Sequence, residues 1–380
     1  MIPLNQNLSL LKRSSIRRYT NMARETDDCA MLTIGEPDLD TPENIKAAAI
    51  AAISGNQTHY APNQGTPALR QAVADYETAR GNETRPENVL VTIGACQALF
   101  TALLGILNPG EEVIVPTPGF LLYESIAAVA GAKTVPLDIS GTGFQITKEA
   151  LDACVTEKTK AIIINSPCNP TGTVFTQESL DNVKQAILGK PIFLIVDNVY
   201  NQLSFTNCPD LSLDNELKEQ TILCQSFSKP WAMTGWRVGY LTAPEYVMDR
   251  LLLLSAATIT AVPTFIQAAA VEALKTDPSE MREIYRNRRD FVCRRLDKMG
   301  LTYPKPEGAF YVFVDISRFG MTSEEFCTRM IHEGKLAAVP GSCFGTEGYI
   351  RLSYCYSDGE LQRSLDRLEA FISTLKGGNP

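Results

Sequence analysis

TILCQSFSKPWAMTGWRVGYLTA (residues 221–243) sets two apolar runs, TILCQSF and RVGYLTA, around a lysine, Lys229. Both runs are continuously apolar rather than alternating, the pattern of strands covered on two faces. Five further runs upstream have the same character: NVLVTIG, EEVIVP, KTVPLD, KAIIINS and IFLIVDN. Amphipathic stretches such as CQALFTALLGIL and ESLDNVKQAIL separate several of them. Buried strands alternating with helices predict an α/β fold, a mostly parallel sheet covered by helices. Ligands in such sheets bind beyond the carboxyl ends of the strands. From about residue 285 the pattern changes to a charged helix, MREIYRNRRDFVCRRLDKM, then AFYVFVDIS, KLAAVP and YIRLSYC between helices. The expected organisation is a large domain over 46–284 and a smaller α+β domain. The smaller domain comprises 285–380 together with 1–45, which supplies an N-terminal arm.

The 380 residues carry a net charge of −8 and no long basic block, which argues against nucleic acid as a partner. Ten cysteines are scattered without a CxxC pair, and only His59 and His332 could join them. No metal site is expected, and reduced thiols in a cytoplasmic protein are. The N-terminus lacks the apolar core of a secretory signal; it is Arg- and Ser-rich and free of acids until Glu25, a weak likeness to a transit peptide. Residues 251–271 carry no charge, but Ser255, Thr258, Thr260, Pro263 and Gln267 interrupt them. Two buried segments broken near Pro263 are expected there, not a membrane span.

Chemistry-bearing residues cluster at the predicted strand ends. VTIGACQAL places Gly94, Ala95 and Cys96 where a helix begins, and amides there attract anions. NSPCNPTG (165–172) presents Asn169, although a Pro/Asn turn explains the stretch equally well. FLIVDNVY carries Asp197 at the end of a very apolar strand, with Tyr200 just beyond. A carboxylate buried there needs a partner, such as a protonated ring nitrogen, unless it caps a helix. Ser226 and Arg237 flank Lys229 and suit a phosphate. A partly desolvated lysine near other cations loses its proton more easily and becomes a nucleophile. Lysine nucleophile, acidic partner and phosphate donors together match the protein side of a pyridoxal phosphate site.

From GEPDLDTP near residue 35 to PGSCFG and YIRLSYC near the end, with SFSKPWAMTGWRVGY between, the sequence resembles the class I/II, fold-type I pyridoxal-phosphate aminotransferases. The resemblance implies the following roles. Lys229 forms the Schiff base with the cofactor and later moves the substrate proton. Asp197 pairs with the pyridine nitrogen, while Asn169 and Tyr200 hydrogen-bond the phenolic oxygen. Phe120 stacks on the ring. The Ala95 and Cys96 amides, Ser226 and Arg237 hold the phosphate. Tyr60 reaches the neighbouring subunit's phosphate, which implies a homodimer with shared sites. Arg351 and Gly35 bind the substrate α-carboxylate, with Asn169 beside them.

The block VPGSCFGTEGYIRLSYCYSDGEL is most similar to the subgroup containing aspartate, aromatic and N-acetyl-diaminopimelate aminotransferases. The implied reaction moves the amino group of an L-amino acid to a 2-oxo acid, expected to be 2-oxoglutarate, by a ping-pong scheme. Many aspartate enzymes of this subgroup have a lysine where Cys96 stands, and that lysine binds the distal carboxylate. Strict aspartate specificity is therefore not implied. Lys12, Arg17 and Arg18 are candidate replacements for its charge. Two alternatives remain: a C–S β-lyase on the same scaffold, and a non-catalytic regulatory protein.

Overall fold

A computed structural model describes residues 6–11 and 15–376. The strands in chain order are β1 (Ala30–Met31), β2 (Val89–Thr92), β3 (Glu112–Thr117), β4 (Lys133–Asp138), β5 (Thr159–Asn165), β6 (Phe193–Asp197), β7 (Thr221–Ser226), β8 (Gly239–Thr242), β9 (Tyr311–Asp315), β10 (Leu336–Ala337), β11 (Val339–Pro340) and β12 (Tyr349–Ser353). The helices that matter below are α1 (Ser15–Arg24), α2 (Glu43–Ser54), α3 (Pro67–Ala79), α4 (Gly94–Ile106) and α5 (Leu122–Val129). They are followed by α6 (Lys148–Cys154), α7 (Gln177–Ile187), α8 (Glu245–Thr258), α9 (Thr264–Ala273), α10 (Ser279–Lys298), α11 (Ser323–His332) and α12 (Asp358–Lys376).

All seven apolar runs read as strands join one sheet, in the order β2-β8-β7-β6-β5-β3-β4. Only β8 runs antiparallel to its neighbours, β2 and β7. The runs lack alternation because both faces are covered. Along β5, Ile162 and Ile164 enter one apolar cluster, and Ala161 and Ile163 enter the other, on the opposite face. Burying each of these isoleucines is worth roughly 1.5–3 kcal/mol. Register does the rest of the positioning: Asn165 lies opposite Asp197, and Asp197 opposite Cys224. The carboxyl ends of β5, β6 and β7 are therefore level, and their loops open onto one space.

A second, antiparallel sheet has the order β11-β12-β9, with Arg351 of β12 paired to Phe313 and Val339. β1 pairs in parallel with β10, which ties residues 30–31 to the C-terminal part of the chain. Further upstream, the Asn7 side chain donates to the Val129 carbonyl at 3.3 Å, so the arm reaches α5.

The uncharged stretch 251–271 departs from expectation. It does break at Pro263, between α8 and α9, but it is not two buried segments. Leu251, Ser255, Gln267 and Ala270 are buried, whereas Leu253 is 65 % exposed. A helix laid on the outside of a domain buries one face in 3.6 residues per turn, and the other face of α8, with Leu253, stays exposed. Among the described residues no helix is long and apolar enough to cross a membrane.

Candidate active site

Lys229 follows β7 by three residues, in a turn held by the Ser228 amide donating to Ser226 Oγ at 3.1 Å and the Met233 amide to the Ser228 carbonyl at 3.1 Å. Its Nζ donates to the Gly35 carbonyl at 2.6 Å and stands 5.7 Å above the Phe310 ring. Burial pushes the ammonium down to about 8 from an ordinary 10.5. Among the described residues no carboxylate hydrogen-bonds it, and the nearby charge of Glu36 offsets only part of that loss of solvation. The loop then turns through Arg237 at φ +54°, a left-handed position that a non-glycine residue adopts at a cost. That turn aims the guanidinium at the start of α4. Gly94, at φ +69°, leaves room there: a Cβ would stand 2.9 Å from Arg237 Nη2. Ala95 and Cys96, in the first turn of α4 where backbone amides lack partners within the helix, line the same space.

Asp197 ends β6 and is 4 % exposed. Its Oδ2 accepts from the Tyr123 hydroxyl at 2.6 Å and its Oδ1 from the Val199 amide at 3.3 Å. Burial outweighs both bonds and lifts the carboxyl to about 6. Asn165 donates to the Asp197 carbonyl at 2.9 Å and accepts from the Asn169 amide at 3.0 Å, which fixes the two strand ends together.

Arg351 is 2 % exposed. Its Nη1 donates to Asn169 Oδ1 at 2.8 Å and its Nη2 to the Thr33 carbonyl at 2.6 Å. Its guanidinium lies 4.5 Å from the Tyr311 ring and 4.9 Å from that of Phe344. Nε is buried without a hydrogen-bond partner, and among the described residues no carboxylate pairs with this cation. A buried guanidinium without a counter-ion is matched to an incoming anion. Beside it the Tyr200 and Tyr311 hydroxyls are 2.8 Å apart. Gly35 packs so closely on Tyr311 that a methyl group there would collide with the hydroxyl.

These groups line one cavity of about 670 Å³, together with Phe120. Phe120 meets Tyr123 edge-on at 5.8 Å between ring centres. Of the residues singled out from sequence, Gly35, Ala95, Cys96, Phe120, Asn169, Asp197, Tyr200, Ser226, Lys229, Arg237 and Arg351 all reach this cavity. Tyr60 does not; it lies elsewhere and is 90 % exposed. Arg17 lines the cavity, but Arg18 turns away to Glu324 at 3.4 Å. Lys12 lies outside the described residues.

Several wall residues escaped the sequence reading. Tyr123 sits three positions after Phe120, a spacing that would have put both on one helix face. Tyr311 was read only as part of a strand. Asn21 and Arg24 follow Arg17 at helical spacing on α1.

The residues fit pyridoxal phosphate. An amine of depressed basicity, a buried carboxylate and hydroxyl and amide groups converge on one cavity, with an anion cradle at the start of α4. A glycine keeps that cradle open beside Arg237. Among the described residues no group of side chains could hold a metal ion.

Comparison with known proteins agrees with the geometry. The family described as aminotransferase class I and II matches residues 27–368. A probable N-acetyl-LL-diaminopimelate aminotransferase of Bacillus subtilis is 39% identical over 376 residues, covering 97% of this chain and 95% of its own. An aspartate aminotransferase of Pyrococcus abyssi is 39% identical over 385 residues, covering 98% and 99%. Among solved structures, the aspartate aminotransferase from Thermus thermophilus with maleate superimposes with a TM-score of 0.92 at 34% identity, over 97% of this chain and 100% of that one. An aromatic aminotransferase from Pyrococcus horikoshii OT3 gives 0.89 at 38% identity, over 94% and 99%.

Proposed function

We propose, from the premise that this chain belongs to the class I and II aminotransferases and so is a pyridoxal-phosphate-dependent transferase, that it carries the amino group of an L-amino acid to a 2-oxo acid, 2-oxoglutarate by preference, in two half-reactions. The observation that carries this reading is the pairing of Lys229, held near neutrality, with Arg351, a buried cation lacking a counter-ion, across one cavity.

When bound, pyridoxal phosphate supplies a ring that withdraws electrons from the substrate Cα. Lys229 would anchor it covalently, Asp197 would pair with its ring nitrogen, and Asn169 and Tyr200 would hydrogen-bond its phenolic oxygen. Phe120 would stack on the ring. Ser226, Arg237 and the Ala95 and Cys96 amides would take the phosphate. Arg351 and the Gly35 backbone would orient the α-carboxylate. The Lys229 amine lines the same cavity and would move the proton: it would take one from the Cα of the amino acid in the first half-reaction and return one to the Cα derived from the 2-oxo acid in the second. A basicity near 8 suits both directions at neutral pH. Tyr311 holds the Tyr200 hydroxyl in place until the cofactor competes for it.

A second copy of the chain completes the site in this reading. Tyr60, Ile50, Ile53 and Leu253 form exposed apolar surface that a homodimer would cover, and Tyr60 would then reach the other copy's phosphate. A cytoplasmic setting agrees with ten cysteines joined by no disulfide.

The test is spectroscopic. The purified protein with pyridoxal phosphate should show a visible absorption band that Lys229→Ala lacks. A single L-amino acid should bleach the band, and a 2-oxo acid should restore it. Release of pyruvate and ammonia from a sulfur amino acid, with the band unchanged, would replace this reading with the C–S lyase.

A further inference from the structure

One wall of the cavity is a single face of α1. Arg17, Thr20, Asn21 and Arg24 line it at positions i, i+3, i+4 and i+7, one stripe of a helix. Thr20 is engaged, its hydroxyl 3.0 Å from both the Ile16 carbonyl and Thr33 Oγ1. The Asn21 and Arg24 side chains have no hydrogen-bond or ion-pair partner among the described residues. Both face the cavity.

The charge of the wall is lopsided. Arg17, Arg24, Lys229, Arg237 and Arg351 line it against one carboxylate, Asp197. The proposed reaction employs Lys229, Arg237 and Arg351 on the cofactor and the α-carboxylate. The cations of α1 remain. An arginine in the last turn of a helix is favoured by the helix dipole alone. The dipole does not explain why Asn21, three residues earlier and also unpaired, shares the same cavity face. The start of α4 offers Ala95 and Cys96, neither of which carries a cation. Within this chain, α1 is the wall that offers cations to a distal anion on the substrate.

We propose that Arg24, with Asn21 beside it, receives the distal carboxylate of a dicarboxylic substrate, so that α1 reads the substrate side chain. This rests on the transaminase reading above. Guanidinium and carboxylate match as donor fork and acceptor pair. Arg24 is exposed, so an uncharged side chain leaves it hydrated at little cost. The site accordingly favours acids without shutting out neutral or aromatic amino acids.

The experiment uses the cofactor-loaded protein and two readouts. One is the ratio of kcat/KM for L-glutamate over L-leucine. The other is the ratio of affinities, by calorimetry, for glutarate over pentanoate, which differ by one carboxylate and do not react. Arg24→Gln is expected to lower both ratios roughly tenfold to a hundredfold, since each tenfold corresponds to one modest charged contact. Arg24→Lys should recover part of the loss, which mere packing would not produce. Arg18→Gln, six residues earlier on the same helix but directed at Glu324, should leave both ratios unchanged. Ratios in Arg24→Gln within twofold of the parent would overturn the assignment. If the parent protein transaminates no amino acid, the reading beneath falls, while the glutarate-to-pentanoate ratio still decides the role of Arg24.

Discussion

Asp197 is held where a carboxylate is least at ease. Its ordinary pKa of 3.8 rises to about 6 through burial. A raised carboxyl binds more protons folded than unfolded between those values, so its contribution to stability is fully present below about 3.8 and lost as pH rises through about 6. The shift corresponds to about 3 kcal/mol. Cofactor-free Asp197→Asn should therefore be more stable than its parent at pH 8, and the gap should close by pH 4, read from urea midpoints at the two pH values. Added pyridoxal phosphate should reverse the order at pH 8, because only the parent presents a negative partner to the ring nitrogen. A gap that ignores pH would show that burial of this charge is not what separates the two. Gly35 makes a steric argument at the same scale. Gly35→Ala drives a methyl group into the Tyr311 hydroxyl, which holds Tyr200. A stability loss of about 1–3 kcal/mol is expected from overpacking. A fall in kcat/KM should accompany it, visible in the steady-state rate.

Among the elements, the strip between β1 and α2 carries more of the site than its irregular backbone suggests. Its Thr33 carbonyl holds Arg351, and its Gly35 carbonyl holds Lys229. The strip is tied down at Asp38, whose two oxygens accept from Arg288 of α10 at 2.6 and 2.9 Å, while Arg288 Nε reaches Asp358 at the start of α12 at 3.1 Å. Arg288→Met should lower the free energy of unfolding, read from urea denaturation, by about 1–3 kcal/mol, the cost of leaving a half-buried carboxylate unpaired. It should also raise KM for the amino acid more than it lowers kcat, since the residue acts by positioning the strip. The seven strands of the large sheet were legible because burial on both faces leaves an uninterrupted apolar run, as at Ala161–Ile164. The direction of β8 was not legible: RVGYLTA has the same pattern whichever way it lies. β1, β10 and β11 are two residues each, too short for any period to register. Lys229, Asp197 and Arg351 were legible from their motifs. Tyr123, Tyr311 and Arg24 were not, because their importance comes from elements that meet only in the fold.

At the scale of the whole molecule, the cavity draws on residues from Ile16 to Arg351, yet Tyr60 stays outside it. A tyrosine 90 % exposed, sharing a groove with Pro263 and Thr264, is poorly placed to serve its own site. In the proposed homodimer it would serve a second copy across a twofold interface. The two possibilities separate by subunit exchange. Tyr60→Ala and Lys229→Ala each damage both sites of their own homodimer if sites are shared. In a mixed dimer the damage falls together: one site loses both groups, and the other keeps Lys229 from one copy and Tyr60 from the other. Random exchange of equal amounts makes about half the dimers mixed, each with one intact site. Activity from intact sites should then reach about a quarter of the parent's. It should rise above the average of the two separate variants only after conditions that let subunits exchange. If Tyr60 serves its own chain, the mixed dimer has one site lacking Tyr60 and one lacking Lys229. Mixing would then give no more than the average at any time.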